Sequence, residues 1–202
     1  MQDSPRHLPA EERRAVTVEA VVDLAAEQNP SEITTAAIAK RMRLTQGALF
    51  RHFASKDAIL KAVLEWVADR LLSRTDKASR EASSVLSALE AMFATHIDFI
   101  ARHPGAPRIV FAELQRHDDT PAKLLAQTLI NRYRDRLSAL IDKGKKSGEI
   151  NGDVDANAAA TLFIGMIQGL VIQSLLGGNA ARLKKDAPGA FAIYLAGIRR
   201  PR

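Results

Sequence analysis

The sequence predicts an all-α protein of about nine helices, and two patterns that run through its 202 residues lead to this prediction. Apolar residues recur at three- and four-residue intervals, which is the spacing of one helical face. Alternating runs of β-branched residues are missing, and Pro and Gly fall mostly between the periodic segments. With 47% apolar residues, the chain can bury a sizeable core.

Helix ends are predicted from proline, glycine and hydroxyl residues. Helix one ends before Pro30, because proline disfavours helical geometry in the residue that precedes it. Pro188 predicts the start of helix nine, since proline favours the first turn of a helix. The predicted N-caps are Thr34 or Thr35, Thr45, Ser55 and Thr120. The helices are predicted over residues 10–28, 35–42, 46–52, 56–80, 84–102, 107–116, 120–146, 155–176 and 186–199.

A head and a larger helical domain are predicted, with a long fourth helix between them. The first three helices form the head, and no Gly- or Ser-rich linker separates it from the fourth helix. The predicted organisation is a flexible N-terminal arm over residues 1–10, a head over 11–55 and a helical domain over 56–202.

Residues 34–60 contain the strongest motif, which consists of two short helices, a tight turn and the start of a third helix. Asp57 is the single acidic residue between positions 34 and 61, so this segment holds most of the net charge of +6. Concentrated positive charge on a small helical unit is typical of a DNA-binding helix-turn-helix. The basic residues of the segment are Lys40, Arg41, Arg43, Arg51, Lys56 and Lys61.

At these residues the chain resembles the TetR family of bacterial repressors. The matching pattern is Thr35-x-x-Ile38-Ala39 followed by Leu44-Thr45-x-Gly47-x-Leu49-Phe50-x-His52-Phe53-x-x-Lys56-Asp57-x-x-Leu60. The resemblance implies a three-helix DNA-binding head and a C-terminal helical domain for ligand binding and dimerisation. It also implies a cytoplasmic bacterial regulator, in agreement with the absence of cysteine.

The resemblance implies that helix three is the recognition helix. Gln46 is the candidate for base reading, because its amide can pair bidentately with adenine. Gly47 lets the backbone approach the groove wall, and Arg51 can reach either a guanine or a phosphate. The predicted DNA-contacting residues are Thr35, Thr45, Gln46, Gly47, Ala48, Phe50, Arg51, His52 and Lys56.

Two positions depart from the family pattern. Phe50 stands where the family most often has tyrosine, so a phosphate-bonding hydroxyl is missing, and Phe50 is expected to pack as an apolar anchor instead. Arg43 stands at the turn position usually held by glycine, where a positive φ costs another residue on the order of 1 kcal/mol.

The resemblance also implies a small-molecule pocket in the C-terminal helices, while the apolar faces alone are equally typical of a filled core. His96 and Tyr133 are the predicted polar contacts of a lipophilic or aromatic effector, with Gln168 and Trp66 as weaker candidates. The predicted lining is Trp66, Met92, Phe93, His96, Ile100, Phe111, Leu129, Tyr133 and Gln168.

Helices eight and nine are predicted to form a homodimer surface. More apolar faces are present than a monomer can bury, and Gly165-x-x-x-Gly169 offers a flat strip for a second helix. A twofold dimer would present two recognition helices to a pseudo-palindromic, double-stranded operator, from which the effector would release it. The predicted interface is Leu162, Gly165, Met166, Gly169, Ile172, Leu176, Phe191, Tyr194 and Ile198.

Other classes of function are not favoured by the sequence. Without cysteine, a nucleotide-binding Gly loop or a Gly-x-Ser-x-Gly elbow, no enzyme, cofactor or metal site is expected. Residues 158–178 are uncharged and long enough to span a bilayer, but their Gln, Ser and Thr residues favour a helix buried in a dimer over a membrane span. The alternative kept open is a DNA-binding protein of the same fold that answers to a protein partner or acts architecturally.

Overall fold

The computed structural model describes residues 10–177 and 180–201, and these residues form nine α-helices and one short 3-10 helix at Pro30–Glu32. Residues 1–9 of the predicted arm lie outside the described part. The all-α prediction is confirmed. The helices are α1 (Ala10–Glu27), α2 (Thr35–Arg41), α3 (Gln46–Phe50), α4 (Lys56–Glu81), α5 (Val85–Arg102), α6 (Gly105–Leu114), α7 (Pro121–Ser147), α8 (Ala156–Leu176) and α9 (Ala180–Ile198).

Four of the helix starts are set by hydroxyl caps, as predicted. Thr34, Thr45, Ser55 and Thr120 each accept a hydrogen bond from the backbone N–H three residues further along, at 3.1–3.2 Å. Each bond satisfies a donor that has no partner inside its helix. Of the two candidates for α2, Thr34 is the cap, and Thr35 is the first helical residue.

The start of α9 was predicted wrongly, because Pro188 lies inside the helix and does not begin it. Proline removes its own N–H and therefore one helical hydrogen bond, but its fixed φ is compatible with the helix. Packing extends the helix on the N-terminal side of Pro188, since Leu183 and Ala187 are buried one turn apart. An ion pair between Arg182 and Asp186, 3.0 Å long, spans the same turn on the surface.

The chain divides into two compact units, with boundaries within α4, between α5 and α6, and within α7. The N-terminal unit comprises the residues up to Asp69 together with His103–Thr128. The C-terminal unit comprises Arg70–Arg102 together with the residues from Leu129 onward.

In the N-terminal unit, α6 packs against α1 at very short range. A Cβ atom added to Gly105 would lie 1.9 Å from the carbonyl oxygen of Val22, so only glycine fits at this approach. Close by, Arg108 Nη1 donates a hydrogen bond of 3.2 Å to the carbonyl oxygen of Ala26, near the end of α1. The two contacts fix α6 against α1.

Aromatic rings form the core of the C-terminal unit. Phe93 of α5 stacks on Phe191 of α9 with ring centroids 4.8 Å apart, and Phe163 of α8 meets both rings edge-on. Tyr194 completes the cluster and donates a hydrogen bond of 3.2 Å from its hydroxyl to the carbonyl oxygen of Ala159. This core joins three helices of the unit into one packed body.

Candidate nucleic-acid interface

The α2–α3 pair is held by a small buried core and by a turn of left-handed geometry. Ile38, Leu49 and Phe53 are almost fully buried, and the guanidinium of Arg14 lies 4.7 Å from the ring centre of Phe53. Arg43 has a φ of 56°, so the turn keeps the left-handed conformation that glycine usually adopts at this position, with an arginine in its place.

The turn closes α2 with a hydrogen bond. The N–H of Leu44 donates to the carbonyl oxygen of Ala39 at 2.8 Å, across the residue with positive φ. This bond is typical of a Schellman-type helix end, where glycine is the usual residue at the left-handed position. Arg43 therefore destabilises the turn relative to glycine, and it also places a positive charge there.

The first turn of α3 is exposed and polar. Gln46 Nε2 donates to Thr35 Oγ1 at 3.1 Å, so two of the predicted DNA-contacting side chains are hydrogen-bonded to each other. Thr45, Gly47 and Gln46 are exposed, and a Cβ atom on Gly47 would meet nothing closer than 4.0 Å. The backbone of this turn is therefore open to a flat surface such as a groove wall.

His52 is tied to α1 by two hydrogen bonds that the sequence analysis did not predict. Arg13 Nη1 lies 2.8 Å from His52 Nε2, and Arg14 Nη1 donates to the carbonyl oxygen of His52 at 3.2 Å. A guanidinium group only donates, so Nε2 is the acceptor and a neutral His52 carries its proton on Nδ1. The adjacent arginines at positions 13 and 14 were the available signal for this contact.

The cations of the motif differ in their partners. Arg41 forms an ion pair with Glu27, and the hydrogen bond to that carboxylate raises the pKa of Arg41. Lys56 Nζ, at the start of α4, lies 3.4 Å from the carbonyl oxygen of Ser31. Lys40, Arg43 and Arg51 are exposed and form no ion pair with the described residues. These three side chains are therefore the cations most readily available to a phosphate.

Phe50 does not pack as the apolar anchor that the sequence analysis expected. Its side chain is 44% exposed, whereas the neighbouring Leu49 is 1% exposed and fills the core. Because α3 comprises little more than one turn, only one of two adjacent residues can point inward. Phe50 is consequently an exposed aromatic ring beside Arg51.

Comparisons with known proteins bear on the identity of this motif. Residues 15–63 match the family model of bacterial regulatory proteins of the tetR family, and residues 82–172 match a model of tetracyclin repressor-like C-terminal domains. The chain is 30% identical over 139 residues to the nucleoid occlusion factor SlmA of Marinobacter nauticus, across 68% of this chain and 69% of that protein. The chain belongs to the TetR family. It is therefore a DNA-binding regulator with an N-terminal helix-turn-helix.

Further similarities extend along most of the chain. The nucleoid occlusion factor SlmA of Idiomarina loihiensis is 28% identical over 169 residues, which cover 81% of this TetR-family chain and 85% of that protein. The solved structure of the fatty acid degradation regulator FadR from Bacillus halodurans has the same fold, with a TM-score of 0.82 at 19% identity. That superposition covers 97% of this chain and 100% of the FadR chain.

The residues predicted to line an effector pocket are divided between the two units. Trp66 and Phe111 belong to the N-terminal unit, where the Trp66 ring meets His103 edge-on at 5.0 Å. The others belong to the C-terminal unit, where the rings of His96 and Tyr133 meet at 5.3 Å. The members in the C-terminal unit are Met92, Phe93, His96, Ile100, Leu129, Tyr133 and Gln168.

The residues predicted for the dimer surface also separate into two groups. Phe191, Tyr194 and Ile198 are buried within the protomer, at 5%, 4% and 5% exposure, so they are core residues of α9 and not surface residues. The α8 members form an apolar strip that is open to solvent in the protomer, with Leu162 at 59% and Leu176 at 78% exposure. The α8 strip comprises Leu162, Gly165, Met166, Gly169, Ile172 and Leu176.

A second apolar strip, which the sequence analysis missed, runs along α9. Ile193 is 77% exposed, and Gly189 and Gly197 lie one turn to either side of it with open space where a Cβ would stand. Together with α8, this face encloses an apolar groove of about 630 Å³. The spacing Gly189-x-x-x-Ile193-x-x-x-Gly197 was the available signal in the sequence.

Among the described residues, α8 is the helix whose length and apolar composition would allow it to cross a bilayer. Its buried side supplies Phe163, Ile167 and Val171 to the protomer core. Those same described residues contain no group of three His, Asp or Glu side chains placed to hold a metal ion.

Proposed function

We propose that this TetR-family regulator is a homodimeric repressor that leaves a pseudo-palindromic operator when a small lipophilic molecule binds the C-terminal unit. The observation that carries the DNA-binding part is the open first turn of α3, where Gln46 is hydrogen-bonded to Thr35 of α2 and Arg43 and Arg51 lie nearby without an ion pair among the described residues. Side chains that are exposed and only loosely paired can exchange their partners for bases and phosphates at little cost.

The proposed DNA contacts follow from position on the exposed face. Gln46 would read a base, and Gly47 and Ala48 would let the helix backbone approach the groove wall. Phosphates would be bound by Thr35, Thr45, Arg51 and Lys56, with the helix N-termini of α2 and α4 adding N–H donors. The proton on His52 Nδ1 would provide a further donor, while Arg13 holds the ring in place.

A salt series of binding to DNA fragments from upstream of the gene itself and its neighbours tests this part. The wild-type chain should retain one fragment at physiological salt, and Gln46→Ala should lose about tenfold or more of that preference while keeping non-specific affinity. The matched control is Gln127→Ala, which removes an exposed glutamine from α7. Equal binding of all fragments by the wild-type chain would refute a sequence-reading operator contact.

The dimer part is supported by the apolar strips of α8 and α9. Gly165 and Gly169 have open space at their Cβ positions, so nothing inside the protomer requires glycine there. A helix from a second copy of the chain that packs closely on α8 would require glycine at these two positions. Gly165→Leu should therefore weaken dimerisation in analytical ultracentrifugation without unfolding the protomer. Gly152→Leu, in an open loop position, is the control, and a dimer of unchanged affinity in Gly165→Leu would contradict the assignment.

A second candidate is control by a protein partner, without a small-molecule effector. Two relatives favour it. This chain aligns with more than four-fifths of the length of each, and both are named nucleoid occlusion factors. Operator affinity that no small molecule changes, together with many binding sites along the chromosome, would favour this candidate over the repressor.

A further inference from the structure

Three polar atoms in the C-terminal unit are buried without a hydrogen-bond partner among the described residues. They are His96 Nδ1, Tyr133 Oη and Arg136 Nη1. Buried polar groups in folded proteins are almost always paired, because an unpaired one keeps the cost of its lost hydration. Two of these atoms, Tyr133 Oη and Arg136 Nη1, carry hydrogen and can donate to an acceptor that the described residues do not supply.

The three side chains form one cluster. Tyr133 and Arg136 lie one turn apart on α7 and share a face of that helix. The ring of His96, from α5, meets the Tyr133 ring at 5.3 Å and an angle of 78°. Arg136 Nη2 forms an ion pair of 3.1 Å with Asp76 from α4, which leaves its other terminal nitrogen, Nη1, without a partner.

The charge state of the cluster limits what it can bind. Burial lowers the pKa of His96 to about 4, so its ring is neutral near pH 7. Burial, with the nearby Asp76 carboxylate, raises the pKa of Tyr133, so its hydroxyl keeps its proton. Arg136 is balanced by Asp76. The cluster thus offers two hydrogen-bond donors and has no net charge, and a buried carboxylate ligand would find no cation to neutralise it.

The surroundings of the cluster are apolar. Met92 and Ile100 lie one turn before and after His96, and Leu129 and Leu137 stand in the same relation to Tyr133; all four are buried. Phe163 approaches the Tyr133 ring at 6.2 Å. Apolar walls with a few converging polar groups are typical of sites for small lipophilic molecules.

We propose that the C-terminal unit binds an uncharged lipophilic molecule through a carbonyl-type oxygen that accepts hydrogen bonds from Tyr133 Oη and Arg136 Nη1. This inference rests on the proposed function, because it names the chemical class of the effector. A buried water molecule could satisfy the same atoms, so the experiment has to distinguish a ligand from water.

The first measurement compares three probes of similar chain length by calorimetry on the full-length wild-type chain: methyl nonyl ketone, decanoate and decylamine. The ketone should bind at least about tenfold more tightly than the charged probes, because neither charge is compensated in the cluster. Failure of the ketone to bind saturably, or equal affinity for the ketone and decanoate, would overturn the proposal.

The second measurement compares two conservative variants. Tyr133→Phe should weaken ketone binding about five- to tenfold, since one hydrogen bond is lost, while leaving the melting temperature of the free protein unchanged or higher. Tyr194→Phe is the matched control, because that hydroxyl already donates to Ala159; it should lower the melting temperature by a few degrees and leave ketone affinity unchanged.

Together, these measurements distinguish ligand binding at the cluster from ligand-controlled release of DNA. An equal drop in melting temperature for both variants would mean that water already satisfies Tyr133, which contradicts the proposal. Ketone binding that leaves operator affinity unchanged would support the site and refute effector-controlled release. Operator binding that weakens with the ketone in the wild-type chain, and not in Tyr133→Phe, would support both.

Discussion

The polar side chains of the two units differ in a way that fits the ligand proposed for each. On the α2–α3 face, the exposed Gln46 is hydrogen-bonded to the half-buried Thr35. In the C-terminal unit, Tyr133 and His96 are enclosed, with polar atoms that have no partner among the described residues. An exposed pair can open for a large charged surface at small cost, whereas an enclosed unpaired group gains stability only when something enters. The first arrangement suits DNA, and the second suits a small molecule.

The largest expected effect tests the close packing of α6 on α1 in the N-terminal unit. Gly105→Ala places a Cβ atom 1.9 Å from the carbonyl oxygen of Val22, so α6 and α1 must separate. The free energy of unfolding from a denaturant titration should fall by about 3 kcal/mol. Gly152→Ala, whose Cβ meets nothing within 4 Å, should leave it nearly unchanged. If the two variants were equally stable, the close packing of α6 on α1 would not hold in solution.

The next effect acts on the C-terminal unit and depends on pH. In the unfolded chain His96 titrates near its ordinary pKa of 6.5, and burial lowers the pKa to about 4 in the folded chain. Between these values the unfolded chain binds a proton that the folded chain does not. The free energy of unfolding should therefore decrease as the pH falls from about 6.5 to about 4, by up to about 3 kcal/mol.

His96→Phe removes this contribution and serves as the comparison. The carboxylates of Glu149 and Asp155, whose pKa values are lowered in the fold, contribute to both proteins and cancel in the difference. The free energy of unfolding of the wild-type chain should fall relative to that of the variant as the pH falls through this range. Parallel curves for the two proteins would mean that His96 is exposed to solvent.

The smallest expected effect returns to the helix-turn-helix. Arg43→Gly relieves the positive φ of 56° but makes the unfolded chain less ordered, so a net gain of about 0.5 kcal/mol is expected. Arg43→Ala removes the same charge and keeps the strain, and it should not gain stability. Denaturant titrations of both variants measure the difference, and an equal change in each would assign the effect to charge instead of backbone geometry.

Local signals predicted the N-terminal half of the fold closely. The caps Thr34, Thr45 and Ser55 act through bonds within three residues, and the positive φ of Arg43 follows from its place in the turn. Such features depend on neighbouring residues alone, so the sequence contains all that is needed to predict them. The helix-turn-helix and its family were recognisable for the same reason.

The wrong predictions concern features that tertiary packing determines. Pro188 is an acceptable helix start locally, and only the burial of Leu183 and Ala187 extends α9 past it. Phe50 and Leu49 are adjacent apolar residues, and the fold determines which of them points inward. The burial of the Phe191 side chain likewise depends on packing against Phe93 of α5 and Phe163 of α8. Hydrogen bonds between residues far apart in the sequence, such as that of Arg13 with His52, could not be predicted because no local pattern indicates them.

The position of Pro188 has a consequence for the cooperativity of α9. Since proline has no N–H, the carbonyl oxygen of Lys184 has no donor in the following helical turn, and the ladder of backbone bonds is interrupted there. The turns before the interruption can lose their order without breaking the bonds of the turns after it. Those later turns contain Phe191 and Tyr194 and are bound to the aromatic core. We therefore expect the turns before Pro188 to open at a lower free energy than the turns after it.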